Sequence, residues 1–442
     1  MHTFDLTLDD ISKIEGKASL SVKIKDDTIE EIQFKITEYK RFYTQAIRGK
    51  DIAAIPQLCA RVCGTCSNAH LLCAIKAIEN GLGITPSSQT QKLRELLNFG
   101  LNIRDHALHL YVFVLPDLLG IDSILDLDEN KPEERELLED TFSVKSAGNT
   151  LSKVIGGRSV HAPFPTIGGF LIVPKQELFE GLIKELQEVR PAVLRLIERF
   201  SNYSFLLAQS IQFVSLIDSD YSFLKGEIIT SDGKVIKETN VKKYLEHVVI
   251  PYSHASGYTF AGKTYFVGAL SRINLAKKYL HKNTIKDAGS ILDRFPSENA
   301  YDNNLAQAIE ILHCIDKSID ILENLKVEKE PPIPIVRKEC VGVGVIEAPR
   351  GMLFYRLEMD NVGKIINADL VVPTGQNQIG IEKTLYAYIS ANIQKDQHEL
   401  SHDIEKIIRA YDPCMSCASH FLKVKWERLS AKRINNTGNI FN

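Results

Sequence analysis

Two C-x-x-C pairs stand near opposite ends of the 442-residue chain, and they constrain its fold more than any other sequence feature. The first is Cys63 and Cys66 in RVCGTCSNAH, and the second is Cys414 and Cys417 in DPCMSCASH. Cysteines at this spacing are typical of metal ligation or thiol redox chemistry. Because 348 positions separate Cys66 from Cys414, a shared site requires the two ends of the chain to meet. The pattern predicts one site that closes a large domain around itself.

Composition places the chain among ordinary globular proteins. Hydrophobic residues make up 44% of it, the formal net charge is −3 and the pI is about 6.5. No dense Lys/Arg run with interleaved aromatic residues occurs, so we expect no nucleic-acid partner. Eight cysteines are too few for a disulfide scaffold, which favours a reducing compartment. The polar, acidic N-terminus and the lack of an apolar stretch of about 18 residues predict a cytoplasmic protein without a direct membrane span.

Hydrophobic periodicity predicts an α+β fold that is predominantly α-helical. Alternating apolar residues in KASLSVKI and EEIQFKIT predict an N-terminal β-hairpin, and a second hairpin is expected around EIITSDGKVIK. Helical spacing dominates the middle of the chain, where Ser67 is placed to cap the helix after the first cysteine pair. EKEPPIPIV interrupts this spacing, and short strands and helices follow it. We divide the chain into an N-terminal β-hairpin/sheet, a mainly helical core, a C-terminal region of strands and helices, and a C-terminal extension: 1–40, 41–327, 328–420 and 421–442.

The spacing of the cysteines alone leaves three kinds of site open. Four Cys ligands in two C-x-x-C pairs suit a closed, tetrahedral structural zinc site. Zinc modules usually keep their pairs within about 12–20 residues of each other, whereas the separation here is 348. Iron–sulfur clusters also take four thiolates, although their usual cysteine runs differ, and a dithiol redox centre needs only one pair. The residues around the cysteines must decide.

Those flanking residues make the pattern specific. The motifs R-x-C-G-x-C-x-x-x-H at 61–70 and D-P-C-x-x-C-x-x-H at 412–420 resemble the two signatures of the large, catalytic subunit of nickel-iron hydrogenases. Further segments that resemble the family are KIEG (13–16), DHALHLY (105–111), GGRSVHAPFPTIGG (156–169), EAPRG (347–351) and VVPTGQN (371–377). The resemblance spans residues 11–420. It implies the hydrogenase large-subunit fold and the reversible cleavage of dihydrogen to two protons and two electrons.

The resemblance implies that the four cysteines hold a nickel-iron centre. Cys63 and Cys414 would be terminal nickel ligands, whereas Cys66 and Cys417 would bridge nickel to an iron that carries carbon monoxide and cyanide. Soft thiolates on a redox-active metal suit heterolytic cleavage, which needs a hydride acceptor and a nearby base. That base would be the Cys414 sulfur or a side chain above the metals.

Charged residues also receive roles from the resemblance. Arg350 resembles the arginine over the open metal position, where its permanent charge would polarise dihydrogen. Asp105 and Asp412 resemble the aspartates that pair with this arginine. Glu15 resembles the glutamate that passes protons between Cys414 and the surface. The alternatives without a catalytic role are a surface arginine at Arg350, an ordinary ion pair at Asp105 and a solvated carboxylate at Glu15.

Two further groups of residues fall on family positions. One resembles the pocket around the diatomic ligands: Pro349, Arg350, Leu353, Pro373 and Thr374. The other resembles residues that surround the centre without binding it, and their types suit buried hydrogen bonds equally well: His70, His109, Arg158 and His161. The remaining cysteines match no ligand position, so we expect buried, small apolar residues at Cys59, Cys73, Cys314 and Cys340.

Three positions depart from the family pattern. Lys17 and Tyr355 stand where histidines are usual, and Thr44 stands where many relatives have a glutamate. In the family that glutamate and the last histidine of the second signature, here His420, help to bind an additional magnesium or iron. The resemblance therefore implies a further metal site near His420, and Thr44 argues against it.

Past His420 the chain continues with FLKVKWERLSAKRINNTGNIFN, which carries five Lys or Arg and one Glu. The family is often made with such an extension, which a maturation endopeptidase removes once nickel is bound. We expect cleavage between His420 and Phe421, which would change the formal net charge from −3 to −7 because four net positive charges leave. The alternative is a permanent surface helix or partner contact.

Electrons released at a buried metal centre must be carried away, and this requirement predicts partner chains. No further cysteine cluster could bind iron–sulfur clusters, so the resemblance implies a hydrogenase small subunit that carries them, together with further electron-transfer subunits. Two rivals stay open at this point. One is a metal-free subunit of quinone oxidoreductases with the same fold, against which the four intact cysteines argue, and the other is a zinc-stapled structural protein.

Overall fold

The computed structural model describes residues 4–203, 205–207 and 211–419. Within them the helices are α1 (Tyr43–Ile47), α2 (Ile55–Cys59), α3 (Ser67–Leu82), α4 (Ser88–Ala107), α5 (Leu115–Leu119), α6 (Pro132–Gly156), α7 (Phe179–Asn202), α8 (Ala269–Ala276), α9 (Lys282–Ala288), α10 (Asn303–Asn324), α11 (Pro373–Ala391), α12 (Gln397–Ala410) and α13 (Met415–Ala418). The strands are β1 (Phe4–Leu8), β2 (Ala18–Lys25), β3 (Thr28–Ile36), β4 (Pro165–Thr166), β5 (Gly169–Phe170), β6 (Gln212–Ile217), β7 (Glu227–Thr230), β8 (Val235–Ile236), β9 (Leu245–Val248), β10 (Gly257–Phe260), β11 (Tyr265–Phe266), β12 (Cys340–Ala348), β13 (Gly351–Met359) and β14 (Ile365–Val371). Helices dominate and the sheets are small, which confirms the predicted fold class.

The N-terminal sheet forms where the alternating pattern predicts it. Strands β1, β2 and β3 are antiparallel in that order, and β2 buries every second residue, including Leu20 and Val22. Asp26 and Asp27 make the turn with φ angles of 49° and 61°, a left-handed conformation that aspartate tolerates better than most residues. Glu15 lies in the connection between β1 and β2, and the chain passes from β3 through α1 and α2 to the first cysteine pair.

The helical core is built around α4, which packs against α6 and α10. Small residues let α4 and α6 approach closely, since a Cβ atom on Gly148 would lie 2.6 Å from the backbone nitrogen of Arg104. Beyond Ala107 the chain continues as a π-helical segment, Leu108–Val114. Such segments are frequent at functional sites. Here the segment carries His109, and the last turn of α4 carries Asp105.

The C-terminal sheet, β12-β13-β14, is antiparallel and lies against α3. Gly342 permits this contact, because a Cβ atom there would lie 1.9 Å from the Ala77 carbonyl oxygen of α3. Pro349 and Arg350 form the two-residue connection between β12 and β13, and Gly351 follows with φ of 130°. Arg350 therefore stands at the tip of a tight hairpin whose position is fixed by the helix that follows Cys66.

The middle of the chain supplies the remaining sheets. The order β11-β6-β7-β8 forms one of them, with β6 and β11 parallel, and β9 pairs with β10 in another. The predicted hairpin around 227–237 is confirmed as β7 and β8. The buried hydrophobic residues of the described chain form two clusters, of which the larger draws on helices and strands from Leu6 to Ala418 and the smaller consists mainly of strand residues. The predicted division at 40, 327 and 420 stays a prediction.

Membrane association through a spanning helix finds no support in the part of the chain that the structure describes. None of its helices combines the length and the apolar character that crossing a bilayer requires.

Candidate metal centre

The four cysteine sulfurs come together in one buried cluster. Their Sγ atoms all lie within 4.8 Å of one another. The distance is 3.4 Å between Cys63 and Cys414, 2.9 Å between Cys66 and Cys417, and 3.0 Å between Cys414 and Cys417. Cys66 immediately precedes α3, whereas Cys414 precedes α13 and Cys417 lies within it. Both helices begin at the cluster, so their N-terminal dipoles favour negative charge on the sulfurs.

Backbone pairing with the N-terminal segment fixes the second cysteine pair. Glu15 and Cys414 form an isolated parallel bridge, in which the Met415 amide donates to the Glu15 carbonyl at 2.9 Å. A Cβ atom on Gly16 would lie 2.8 Å from the Met415 Cβ, so glycine allows the two segments to touch. The Arg41 amide also donates to the Ser419 carbonyl at 2.9 Å. The two ends of the chain therefore meet at the cluster, as the cysteine spacing predicts.

The electrostatics of the cluster favour a bound cation. Burial raises the pKa of Cys414 and Cys417 well above the usual range, whereas hydrogen bonds from neighbouring sulfurs, first from Cys414, lower that of Cys63. Four buried thiolates at these distances would repel one another strongly without a compensating positive charge. Four soft sulfur ligands suit nickel, iron and zinc alike. The donor set thus fits the nickel-iron centre that the resemblance implies.

The other four cysteines do not join this cluster. Cys59, Cys73 and Cys314 are buried, as expected, and Cys340 is only half-buried. Among the residues that the structure describes, the four-sulfur group is the only set of three or more metal-ligating side chains close enough to share an ion.

Arg350 lies buried between two carboxylates. Its Nη1 donates to Asp105 at 2.6 Å and its Nε donates to Asp412 at 3.1 Å, while Nη2 lies 3.0 Å from the same Asp412 oxygen in an ion pair. Burial alone would lower its pKa, but Asp105 and Asp412 outweigh this effect and raise the pKa well above the usual value. The guanidinium therefore stays charged. Negative charge on Cys414 and Cys66 also raises the pKa of Arg350. The predicted pairing with both aspartates is present in the structure.

A buried ionic network behind Arg350 escaped the sequence analysis. Arg272 on α8 makes two 2.6 Å hydrogen bonds to Glu310 and one of 2.8 Å to Glu347. It also donates to the carbonyls of Ala348 and Pro349, the residues just before Arg350. Arg272 therefore fixes the hairpin tip that carries Arg350. The sequence does not predict this network, because the arginine and its two glutamates lie on three elements that are far apart along the chain.

Glu15 reaches the cluster from the half-buried edge of the N-terminal segment. Its Oε2 accepts a hydrogen bond from the Cys414 thiol at 3.1 Å and another from the Ser416 amide at 3.0 Å. Glu15 is half-buried as a residue, and its carboxylate contacts the sulfur. This is the placement that proton exchange between a sulfur and solvent requires.

The predicted pocket residues surround the hairpin and the start of α11. Thr374 accepts a hydrogen bond from the Cys414 amide through Oγ1 at 2.9 Å, and Pro373 is the first residue of α11. Pro349 precedes Arg350 at the hairpin tip and is buried. Leu353 is fully buried on β13, where its carbonyl accepts from the Cys73 thiol at 3.6 Å.

Three of the four residues that the resemblance places around the metal centre are buried or half-buried and make polar contacts. His109 bonds to Gln307 at 2.6 Å through Nδ1, and Gln307 donates to Asp412 at 2.9 Å. His70 Nε2 lies 3.5 Å from the Cys417 sulfur. His161 is half-buried, with Nδ1 3.0 Å from the Ala60 carbonyl.

Other sequence expectations have different outcomes. Arg158 is exposed, so its predicted role stays a prediction. Ser67 was expected to cap α3, but it is the first helical residue, and its hydroxyl accepts from the His161 amide at 3.0 Å. Thr44 is buried on α1. His420 and the extension 421–442 lie outside the described residues.

Comparison with protein families matches residues 41–188 and 220–420 to the nickel-dependent hydrogenases. The alpha subunit of sulfhydrogenase 1 from Pyrococcus furiosus is 31% identical over 427 residues, which cover 95% of this chain and 98% of that protein. The chain belongs to the nickel-dependent hydrogenase family. This hydrogenase is a catalytic subunit that acts on dihydrogen, and its four-cysteine cluster is the site of a nickel-iron centre.

Other similarities agree with this family. The beta subunit of the NAD-reducing hydrogenase HoxS from Cupriavidus necator is 27% identical over 473 residues, covering 94% of this hydrogenase and 95% of that subunit. A solved NAD⁺-reducing [NiFe]-hydrogenase shares the fold with a TM-score of 0.82 at 23% identity, over 95% of this chain and all of that one. The relatives are subunits, which implies that this hydrogenase also works with partner chains. The zinc-stapled and metal-free alternatives are thereby set aside.

Proposed function

We propose that the four sulfurs hold nickel and an iron that carries carbon monoxide and cyanide, with Cys63 and Cys414 terminal on nickel and Cys66 and Cys417 bridging. The observation that carries this proposal is the buried four-sulfur cluster, in which the 2.9 Å contact joins Cys66 to Cys417. When bound, the centre supplies the redox-active metal at which dihydrogen is split heterolytically. The pocket for the iron's diatomic ligands is formed by Pro349, Arg350, Leu353, Pro373 and Thr374.

Arg350 polarises dihydrogen in this proposal. Its support is the fixed charge, since the guanidinium donates one hydrogen bond to Asp105 and one to Asp412 and makes a further ion-pair contact with Asp412. A charge held in place before the reaction needs no reorganisation when charge develops in the transition state. Asp105 and Asp412 position the arginine, and Arg272 fixes its backbone.

Glu15 carries the proton between Cys414 and solvent. Its support is the 3.1 Å hydrogen bond from the Cys414 thiol and the half-buried position of the carboxylate. The proton leaves the Cys414 sulfur, binds Oε2 of Glu15 and passes to water at the exposed side. His70, His109, Arg158 and His161 orient groups around the centre without accepting this proton.

Electrons leave through a partner chain. We propose a small subunit with iron–sulfur clusters and further electron-transfer subunits, because the four cysteines outside the cluster do not lie together among the described residues. The complex is cytoplasmic. The family pattern also implies a magnesium or iron near His420. Thr44 argues against this site, because threonine has no carboxylate to bind the metal.

Maturation completes the proposal. An endopeptidase removes residues 421–442 by cleavage between His420 and Phe421 after nickel is bound. Intact-mass measurement of active protein tests this step: we expect a chain that ends at His420. Active enzyme that still ends at Asn442 would refute it.

Infrared spectroscopy of the complex purified with its native partners tests the proposed centre. We expect carbonyl and cyanide stretching bands, dihydrogen-dependent reduction of a viologen dye, and nickel together with an excess of iron, because the iron–sulfur clusters of the partner chains contribute further iron. Cys417→Ser should abolish the bands, whereas Cys340→Ser, at a half-buried cysteine outside the cluster, should retain them. A wild-type complex with zinc or no metal and no bands would refute the proposal.

A further inference from the structure

Tyr355, a residue that departs from the family pattern, lies directly behind one of the cluster sulfurs. Its hydroxyl oxygen is 2.6 Å from His70 Nδ1, and His70 Nε2 is 3.5 Å from the Cys417 Sγ. Tyr355 is fully buried on β13 and His70 is almost fully buried on α3. The two rings contact each other with centroids 6.0 Å apart. One continuous hydrogen-bonded path therefore joins the tyrosine hydroxyl to the sulfur.

The direction of these hydrogen bonds follows from the chemistry of a metal ligand. A cysteine sulfur bound to metal is a thiolate and carries no proton. His70 must then donate through Nε2–H to the Cys417 sulfur. A neutral imidazole with its proton on Nε2 has only a lone pair on Nδ1. The Tyr355 hydroxyl is therefore the donor to Nδ1.

We propose that Tyr355 is a positioning residue, which holds the proton of His70 on Nε2 and so strengthens the N–H···S hydrogen bond to Cys417. Hydrogen bonds to ligand sulfurs withdraw electron density from the metal and set its potential. The inference rests on the proposed function, because it assigns the Cys417 sulfur to the iron. Tyr355 never touches the metals and acts through His70.

Tyr355→Phe tests this role, since it removes the hydroxyl and keeps the ring. In the purified complex, loss of the donor to Nδ1 weakens the N–H···S bond and leaves Cys417 more electron-rich. We expect the carbonyl band to move to lower wavenumber and the midpoint potential of the centre to become more negative. Infrared-monitored redox titration measures both.

Tyr111→Phe is the matched control. Its hydroxyl is also buried and donates to the Ala192 carbonyl at 3.3 Å, and the charged groups that affect its pKa are Asp140, Arg195 and Arg199, with none of the four cluster cysteines among them. A comparable hydroxyl is lost away from the sulfurs, so we expect unchanged bands and potential. Equal shifts in both variants would overturn the inference by showing a general packing effect.

Further outcomes separate this inference from the proposed function. Unshifted bands in a nickel-loaded Tyr355→Phe complex would overturn the role of Tyr355 and leave the nickel-iron centre in place. A wild-type complex without bands would overturn both. If Tyr355→Phe protein binds no nickel, Tyr355→His decides, because an imidazole N–H can donate in place of the hydroxyl. Restored nickel and wild-type bands would support the role, and a nickel-free His variant would overturn it.

Discussion

Arg350 shows how far a single residue depends on groups that are distant in sequence. Asp105 and Asp412 hold its guanidinium, and Arg272 donates to the carbonyls of the two residues that precede Arg350. The motif residues and their aspartate pairing could be predicted from sequence, because they occur in short, specific segments. Arg272 could not, because nothing in its neighbourhood indicates that the chain will bring two glutamates to it.

Arg350→Lys should therefore impair catalysis while the metal stays bound. A lysine ammonium cannot reproduce the planar geometry in which the guanidinium contacts Asp105 and Asp412 together. We expect kcat for dihydrogen oxidation to fall by about 10²-fold or more, with unchanged nickel content. The control is Arg356→Lys on β13, the strand that follows Arg350, where the half-buried Arg356 pairs with Glu358. Near wild-type activity in Arg350→Lys would contradict the proposed role.

His313 gives a pH-dependent prediction. It is fully buried, Nε2 bonds to the Tyr221 carbonyl at 3.1 Å, Nδ1 accepts from the His281 amide at 2.9 Å, and burial lowers its pKa to about 3. The unfolded chain takes up this proton near pH 6.5, so stability is lost as the pH falls below about 6.5. The loss by pH 4 is on the order of 3 kcal/mol.

His313→Gln tests that contribution, because an amide side chain can replace both hydrogen bonds without titrating. We expect the thermal midpoint of His313→Gln to fall less than that of the wild type between pH 6.5 and 4. His402→Gln, at an exposed histidine, should follow the wild type. Equal pH dependence in all three proteins would contradict a neutral buried His313.

At the scale of elements, the contact between α3 and β12 links the first cysteine pair to the Arg350 hairpin. The strands of the two predicted hairpins and of the C-terminal sheet were predictable, since alternation and turn residues are local signals. The closeness of β12 to α3 was not, although the glycines of VGVGV are consistent with it. The cap at Ser67 was wrong, because the helix begins one residue earlier than the prediction requires, at Ser67 itself, and the Ser67 hydroxyl accepts from the His161 amide instead.

Gly342→Ala should disrupt this contact. The added Cβ would lie 1.9 Å from the Ala77 carbonyl, so the strand or α3 must move. Overpacking of this kind costs about 1–3 kcal/mol in the free energy of unfolding. The control is Gly181→Ala, at an exposed position of α7 where a Cβ meets nothing within 4 Å and which should leave stability equal or higher. Thermal denaturation compares the two, and an unchanged midpoint in Gly342→Ala would contradict the close packing.

At the scale of the whole molecule, the metal centre joins the two ends of the chain. The cysteine spacing alone predicted this closure, and the bridge between Glu15 and Cys414 shows how the backbone achieves it. Family resemblance, rather than periodicity, identified nickel, because four thiolates at this spacing also suit zinc. The buried hydrogen-bonded path behind the sulfurs could not be predicted from the sequence, since it joins residues from separate helices and strands.

X-ray absorption at the nickel K-edge of the purified complex tests most directly whether the four sulfurs bind catalytic nickel. We expect nickel surrounded by sulfur ligands in the wild type, and in Cys63→Ser either a loss of sulfur from that environment or a loss of nickel itself. Nickel bound only through nitrogen and oxygen, or zinc on the four sulfurs of active protein, would contradict the assignment.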